Sequence, residues 1–113
     1  MVLGLFAGIA VRDHDAAVPF YERLLGPADF SPHGKESVWD LAEHRSVYIV
    51  EDPGLAGSAL VMAMVDDLDA KLAELAARGA EPYRVERYDN GVRKAVFRDA
   101  DGNELSFGGM PPA

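Results

Sequence analysis

The apolar positions in the first half of this chain indicate a strand, a helix and then three strands. Residues 3–12 form a nearly continuous apolar run, which predicts a strand covered on both faces. A helix follows, capped by Asp13 or Asp15 and ended by the dipeptide at residues 26–27, Gly-Pro. Because Pro19 lacks a backbone N–H, we expect an irregular first turn unless the helix begins after Asp15. The three strands are predicted at residues 30–34, 36–42 and 46–51.

The same order of elements is predicted again after a linker-like stretch at residues 52–58. An apolar strand at residues 60–65 precedes a helix that Asp66 or Asp67 caps and Gly79 ends. Strands at residues 83–88 and 92–98 flank an Asp-Asn-Gly hairpin signal. Residues 96–107, V-F-R-D-A-D-G-N-E-L-S-F, then predict a polar turn and an eighth strand. The elements therefore repeat with a period of roughly 53 residues.

This repeat predicts an α+β fold with one domain over residues 1–113. The first βαβββ module is expected at residues 1–52 and the second at residues 58–110. Neither module alone can bury both faces of its sheet, so we expect the two to close into one curved mixed sheet. The helices would lie outside and a central cup inside. Concave, mostly apolar surfaces of this kind bind small ligands.

The amino-acid composition limits the chemistry, the ligands and the partners that such a cup could have. The chain has no cysteine, which excludes a disulfide framework, a thiolate nucleophile and a cysteine-based zinc site. The net charge of −8 argues against nucleic acid and fits either a cationic small ligand or an ordinary acidic surface. No apolar run is long enough to span a membrane, and the first residues do not form a signal segment. We therefore expect a cytoplasmic protein without nucleic-acid or membrane partners.

Several stretches carry a resemblance to one known family. They are G-I-A-V-R-D at 8–13, P-F-Y-E-R-L-L-G at 19–26, the break at 52–58, V-D-D-L-D-A at 65–70 and F-R-D-A-D-G-N-E-L-S-F at 97–107. The chain resembles the vicinal oxygen chelate superfamily, which holds glyoxalase I, extradiol dioxygenases, fosfomycin-modifying enzymes and bleomycin-resistance proteins. The resemblance implies a homodimer in which modules of both subunits complete the cups.

The resemblance also implies three metal-ligand positions, and this chain departs from the pattern at each. It has Gly8 in place of the first ligand, Leu60 or Val61 in place of the second, and Ser106 in place of the last glutamate. A divalent ion requires three or four converging His or carboxylate groups. We therefore expect no metal and no cofactor, as in the small metal-free bleomycin-resistance type.

Other polar residues do not replace the missing ligands. We interpret His14, His33 and His44 as residues that serve solubility, because none lies in a strand centre. Glu104 shares strand parity with Ser106 and is either a base or, with better support, the partner of Arg12, Arg93 or Arg98 in an ion pair.

Strand alternation predicts which side chains line the cup. If Gly8 and Ser106 face inward, the parity of their strands adds further residues, while the faces of the third and fourth strands stay undetermined. Aromatic rings offer stacking surfaces and methionines an adaptable apolar floor, although the same side chains can simply fill the interior. The predicted ligand-binding residues are Phe6, Gly8, Trp39, Tyr48, Leu60, Met62, Met64, Glu104 and Ser106.

Three functions are consistent with these features. The favoured hypothesis is a metal-free, non-catalytic protein that binds a planar or cationic drug or metabolite. A second is a lyase, isomerase or dioxygenase that uses an unconventional metal site. A third is a non-catalytic regulatory or interaction domain whose cup is filled by its own side chains. The sequence does not identify the ligand, and it leaves open whether the setting is antibiotic resistance or metabolism.

Overall fold

The computed structural model describes residues 1–111 and contains the strand, helix and three strands of each predicted module, which confirms the α+β fold. The elements in chain order are β1 (Leu5–Val11), α1 (His14–Leu25), β2 (Phe30–His33), β3 (Glu36–Ala42), β4 (Arg45–Glu51), β5 (Leu60–Val65), α2 (Leu68–Ala77), β6 (Arg84–Arg87), β7 (Arg93–Arg98) and β8 (Glu104–Gly109). Within the described residues, no helix is long and apolar enough to cross a membrane.

The two modules build two separate four-stranded mixed sheets. Their strand orders are β1-β4-β3-β2 and β5-β8-β7-β6. The parallel pairs are β1 with β4 and β5 with β8. The remaining pairs are antiparallel. The chain divides into two compact units. The first unit consists of Met1–Ala59 and also takes in Asp99–Asn103, the turn that precedes the last strand.

An aspartate caps the N-terminus of each helix, as the sequence predicts. The Asp13 carboxylate accepts the Ala16 N–H at 3.2 Å, and the Asp67 carboxylate accepts the Ala70 N–H at 3.0 Å. The irregular first turn expected from the proline is not observed. Helix α1 begins at His14 with a regular bond from Ala17 N–H to the Asp13 carbonyl, and Pro19 lies inside the helix.

The core of the first unit lies between α1 and one face of its sheet. The side chains with at most 3% exposure on this side are Ile9, Val11, Tyr21, Leu24, Trp39, Val47 and Ile49. The Trp39 ring lies 6.2 Å from the Tyr21 ring, and its indole N–H donates to the Gly26 carbonyl at 2.7 Å. The indole is therefore a fully satisfied core group.

A buried polar cluster holds the turn at Asp99–Asn103 within the first unit. The Tyr21 hydroxyl donates to Asp99 at 2.7 Å, and burial together with this bond raises the pKa of Tyr21 far above its ordinary value. The Asn103 amide donates to the Ala10 carbonyl and to Asp99, and its oxygen accepts from two backbone N–H groups. These bonds explain why the turn belongs to the first unit although it lies far along the chain.

The second unit packs α2 on one face of its own sheet. Leu68 and Leu75 of the helix, and Leu105 and Phe107 of β8, are at most 3% exposed. The Phe107 ring meets the Phe97 ring edge-on at 6.0 Å. As strand parity predicts, these residues lie opposite Ser106, which points to the face without a helix.

Candidate functional site

Each sheet has a face that its own helix does not cover, and we call this the helix-free face of that unit. In the first unit, β1 and β4 pair Gly8 with Tyr48, so both lie on one face. That face is the helix-free one, because the neighbouring positions Ile9, Val47 and Ile49 are buried on the side of α1. The sequence alone did not determine the face on which Tyr48 lies. The pairing of Tyr48 with Gly8 determines it.

The Tyr48 ring lies over the backbone of Gly8. A Cβ atom built at Gly8 would lie 2.5 Å from both Cζ and the hydroxyl oxygen of Tyr48. Carbon atoms in contact are ordinarily about 3.5–4.0 Å apart. Any side chain at position 8 would therefore displace the ring, so the glycine is what allows Tyr48 to occupy this position.

A cavity of about 500 Å³ lies in the first unit, and residues from the next row of the helix-free face line it. Phe6 pairs with Ser46, which in turn pairs with Asp40. The Phe6 side chain is 60% exposed, and the Ser46 hydroxyl donates to the Asp40 carboxylate at 2.6 Å. Glu43 and His44, in the turn between β3 and β4, also line the cavity. The cavity thus combines an exposed aromatic ring with two carboxylates.

The sequence analysis predicted Phe6 as a ligand-binding residue but did not predict the polar residues that line this cavity with it. Ser46 has the same parity as Tyr48 on β4, so it would have followed once the face of Tyr48 was known. Asp40 is recognised only from the pairing of β3 with β4.

The helix-free face of the second unit carries the other predicted residues. Leu60 pairs with Glu104, and Met62 pairs with Ser106. Leu60, Met62 and Met64 are 81%, 53% and 50% exposed, whereas Ser106 is only 4% exposed. Among the described residues, none forms a hydrogen bond with the Ser106 hydroxyl. These five side chains therefore form one surface with three apolar groups, the small hydroxyl of Ser106 and the carboxylate of Glu104.

A glycine shapes this second surface as well. A Cβ atom built at Gly108 would lie 2.6 Å from the Met64 sulfur and 3.3 Å from the Met62 sulfur. The two thioethers therefore converge over β8, where Gly108 lacks a side chain. Flexible methionines at such a position form an adaptable apolar surface.

Glu104 is held by an ion pair, although with a partner that the sequence did not indicate. Its carboxylate accepts two hydrogen bonds from the Arg84 guanidinium, at 2.9 and 3.1 Å. The prediction of Arg12, Arg93 or Arg98 as the partner was therefore wrong. The bonds from Arg84 lower the pKa of Glu104. Arg84 also donates to Glu86 and, together with Tyr88, lowers the pKa of that carboxyl to about 2. A carboxylate paired in this way is a poor general base at neutral pH.

Trp39 does not lie with the other predicted ligand-binding residues. It pairs with Val47 on the side of the sheet that α1 covers, and it is 1% exposed. The expectation that it offers a stacking surface is corrected accordingly. The Phe6 ring, in contrast, is exposed and lines the cavity.

The histidines also differ from expectation in one case. His33 and His44 are exposed, as predicted, with side-chain exposures of 56% and 68%. His14 is instead 8% exposed, and its ring nitrogens lie 2.9 Å from Asp15 and 2.8 Å from the Ser37 hydroxyl. Ser37 is itself buried on the side of α1, so this cluster joins the start of the helix to β3.

Among residues 1–111, no group of three or more His, Cys, Asp or Glu side chains is arranged to hold a metal ion. At two of the positions where the resemblance implies ligands, Gly8 offers no side-chain donor atom and Ser106 offers one neutral hydroxyl. The residues present at these positions do not fit a divalent ion.

Two βαβββ modules, each with a helix on one face of its four-stranded sheet, define the class of protein. The chain belongs to the family of the glyoxalase-like domain, whose model matches residues 7–107. This confirms the resemblance to the vicinal oxygen chelate superfamily that the motifs indicated. None of the curated proteins matches the chain.

Solved structures agree with the family. A glyoxalase / bleomycin resistance protein from Catenulispora acidiphila DSM 44928 is 49% identical, with a TM-score of 0.92 over 97% of this chain and 100% of that chain. A bleomycin-binding protein solved with bleomycin is 22% identical, with a TM-score of 0.72 over 93% of this chain and 96% of that one. A lactoylglutathione lyase from Agrobacterium tumefaciens is 18% identical, with a TM-score of 0.71 over 93% and 91% of the two chains. The latter two show a shared fold.

Proposed function

We propose that this protein binds a planar or cationic organic molecule on its helix-free faces, without a metal and without catalysing a reaction. One arrangement supports this most directly. Where a metal-dependent relative would supply its first ligand, Gly8 has no side chain and the Tyr48 ring fills the position, with Cζ only 2.5 Å from where a Cβ would lie. A drug or metabolite held there is removed from solution by mass action alone.

The cavity in the first unit supports a ligand that carries positive charge on an apolar body. Asp40 and Glu43 bring negative charge, and the exposed Phe6 ring brings a surface for stacking or for a cation. The volume of about 500 Å³ lies within the usual range for small-molecule pockets. The net charge of −8 would add attraction at long range.

The second unit has an apolar surface of its own that supports binding on its helix-free face. Leu60, Met62 and Met64 leave at least half of each side chain exposed, which makes burial by a ligand favourable. The Ser106 hydroxyl is available for one hydrogen bond. We therefore keep these residues and Glu104 as ligand-binding residues and leave Trp39 out.

The bleomycin-binding protein among the solved structures makes bleomycin a reasonable first probe. The family resemblance also leads us to propose a homodimer, and the absence of cysteine agrees with a cytoplasmic protein. A calorimetric test of binding depends neither on the oligomeric state nor on the cellular location of the protein.

Isothermal titration calorimetry in a buffer with EDTA tests the proposed function. Bleomycin, doxorubicin and ethidium are titrated into the wild-type protein and into Asp40→Asn. We expect saturable binding of at least one probe, weakened several-fold in Asp40→Asn and weakened by added salt. Glu22→Gln, on the exposed surface of α1, is the matched control and should bind as the wild type does. If none of the three probes binds, the proposal is refuted. A stoichiometric divalent metal in protein purified without chelator would instead favour the enzymatic alternative.

A further inference from the structure

We propose that Tyr48 determines the specificity of this site, and that Gly8 is the residue that positions it. The ligand class that fits is a planar molecule with a hydrogen-bond acceptor, such as a carbonyl, on its edge. This inference rests on the proposed function and adds to it the chemical group that is recognised.

The first step is steric. The hydroxyl oxygen of Tyr48, as well as its Cζ, lies 2.5 Å from the ideal Cβ position of Gly8, and Cε1 lies 3.1 Å from it. The contact involves the distal half of the ring, so the phenol reaches across from β4 and ends above β1. Alanine at position 8 would meet both atoms at a distance that contacting atoms do not adopt, and the ring would have to swing away.

The second step concerns the hydroxyl group. Among the described residues, none forms a hydrogen bond with the Tyr48 hydroxyl, and the side chain is half-buried. The hydroxyl of the other tyrosine in this unit, Tyr21, is in contrast bonded to Asp99 at 2.7 Å. A phenol hydroxyl without a partner keeps its hydrogen free to donate to a ligand.

The third step is the position of the phenol relative to the cavity. Tyr48 follows Ser46 on β4 by two residues, so both side chains lie on the helix-free face, one row apart. Ser46 already donates to Asp40, which leaves that carboxylate as an acceptor for cationic groups. The phenol therefore adds a donor beside an acidic cavity, and the ligand should carry an acceptor and a cation on one face.

In the second unit a glycine also leaves space for neighbouring side chains, but those side chains differ chemically from a phenol. There Gly108 gives its space to the sulfur atoms of Met62 and Met64, which neither donate strongly nor carry charge. Within the first unit, directional recognition of an acceptor is therefore assigned to Tyr48.

The test measures binding of two probes by calorimetry in EDTA. Doxorubicin is planar, cationic and rich in carbonyl groups, whereas ethidium is planar and cationic without a carbonyl. Tyr48→Phe removes only the hydroxyl and should weaken doxorubicin binding roughly three- to tenfold while leaving ethidium binding within about twofold. Gly8→Ala should weaken doxorubicin binding by about tenfold or more, because the whole ring moves. Gly34→Ala is the matched control, since a Cβ there meets nothing within 4 Å.

A double-mutant cycle separates positioning from general damage. In a Tyr48→Ala background, Gly8→Ala should cause no further loss of doxorubicin binding. If the wild-type protein binds doxorubicin and Tyr48→Phe keeps the same ratio of affinities for the two probes, the role of Tyr48 is overturned while the proposed function stands. If the wild-type protein binds neither probe nor bleomycin, both are overturned. Tyr48→Phe decides the question even if Gly8→Ala does not fold.

Discussion

Replacing Asn103 by alanine removes four hydrogen bonds from the interior of the first unit. The Asn103 side chain accepts from the N–H groups of Gly57 and Ala59 at 3.2 and 3.0 Å. It donates to the Ala10 carbonyl at 2.8 Å and to the Asp99 carboxylate at 2.9 Å. Asn103 is 1% exposed, so water cannot readily take its place at the partners left behind.

The expected loss of stability is large for one substitution. At a net value of about 1 kcal/mol for each hydrogen bond, four bonds amount to about 4 kcal/mol of unfolding free energy. A domain of this kind is stable by only about 5–15 kcal/mol in total. Urea unfolding followed by circular dichroism measures the difference, extrapolated to water with the denaturant slope checked for constancy.

Asn90→Ala is the matched control, because Asn90 lies in an exposed hairpin where its side chain accepts one bond from the Val92 N–H at 3.1 Å. We expect it to cost about 1 kcal/mol or less. A loss below about 1 kcal/mol for Asn103→Ala would mean that the buried amide does not hold the turn at Asp99–Asn103 as described.

Two further predictions follow from the same structure. Arg84→Gln removes the bonds that lower the pKa values of Glu104 and Glu86, the latter to about 2. A carboxylate whose pKa is lowered by folding stabilises the protein above its unfolded-state pKa, and this stability is lost as the pH falls through the folded-state pKa. The difference in unfolding free energy between the wild type and Arg84→Gln, measured in urea, should therefore shrink from pH 6 towards pH 2. Gly57→Ala should lower stability by more than about 1 kcal/mol, because Gly57 has a φ of 107° and its Cβ would lie 2.6 Å from the carbonyl oxygen of Asp101.

Each of these predictions has its own control. Lys71→Gln removes a single i,i+3 ion pair with Glu74 on α2 and should leave the pH dependence of unfolding close to that of the wild type. A pH-independent difference between Arg84→Gln and the wild type would contradict the assigned ion pairs. Gly34→Ala should change stability by no more than about 0.5 kcal/mol, and an equal effect of the two glycine substitutions would contradict the strain assigned to Gly57.

The order of the elements and the faces of β1, β5 and β8 were predictable, because the spacing of apolar residues along the chain indicates both. The apolar runs before both helices, the capping aspartates and the turn signals between the shorter strands together predicted the order and type of the elements. Strand alternation also placed Leu60, Met62 and Met64 on the face of Ser106, since the parity of a strand is fixed once one position is known.

Three features were not predictable, each for a physical reason. The face of Trp39 depends on the pairing of β3 with β4, because apolar residues occupy both faces of β3. The partner of Glu104 comes from β6, two strands away in the sheet, and a single sequence does not show which arginine lies opposite. His14 is buried because the N-terminus of α1 meets Ser37, a contact between distant parts of the chain.

The most direct test of metal-free binding on the helix-free faces is an NMR titration of ¹⁵N-labelled protein with doxorubicin in the presence of EDTA. We predict the largest amide shift changes at Gly8, Ser46 and Tyr48 in the first unit and at Met62 and Ser106 in the second. Shift changes confined to α1 and α2, or binding that occurs only after a divalent metal is added, would contradict this account.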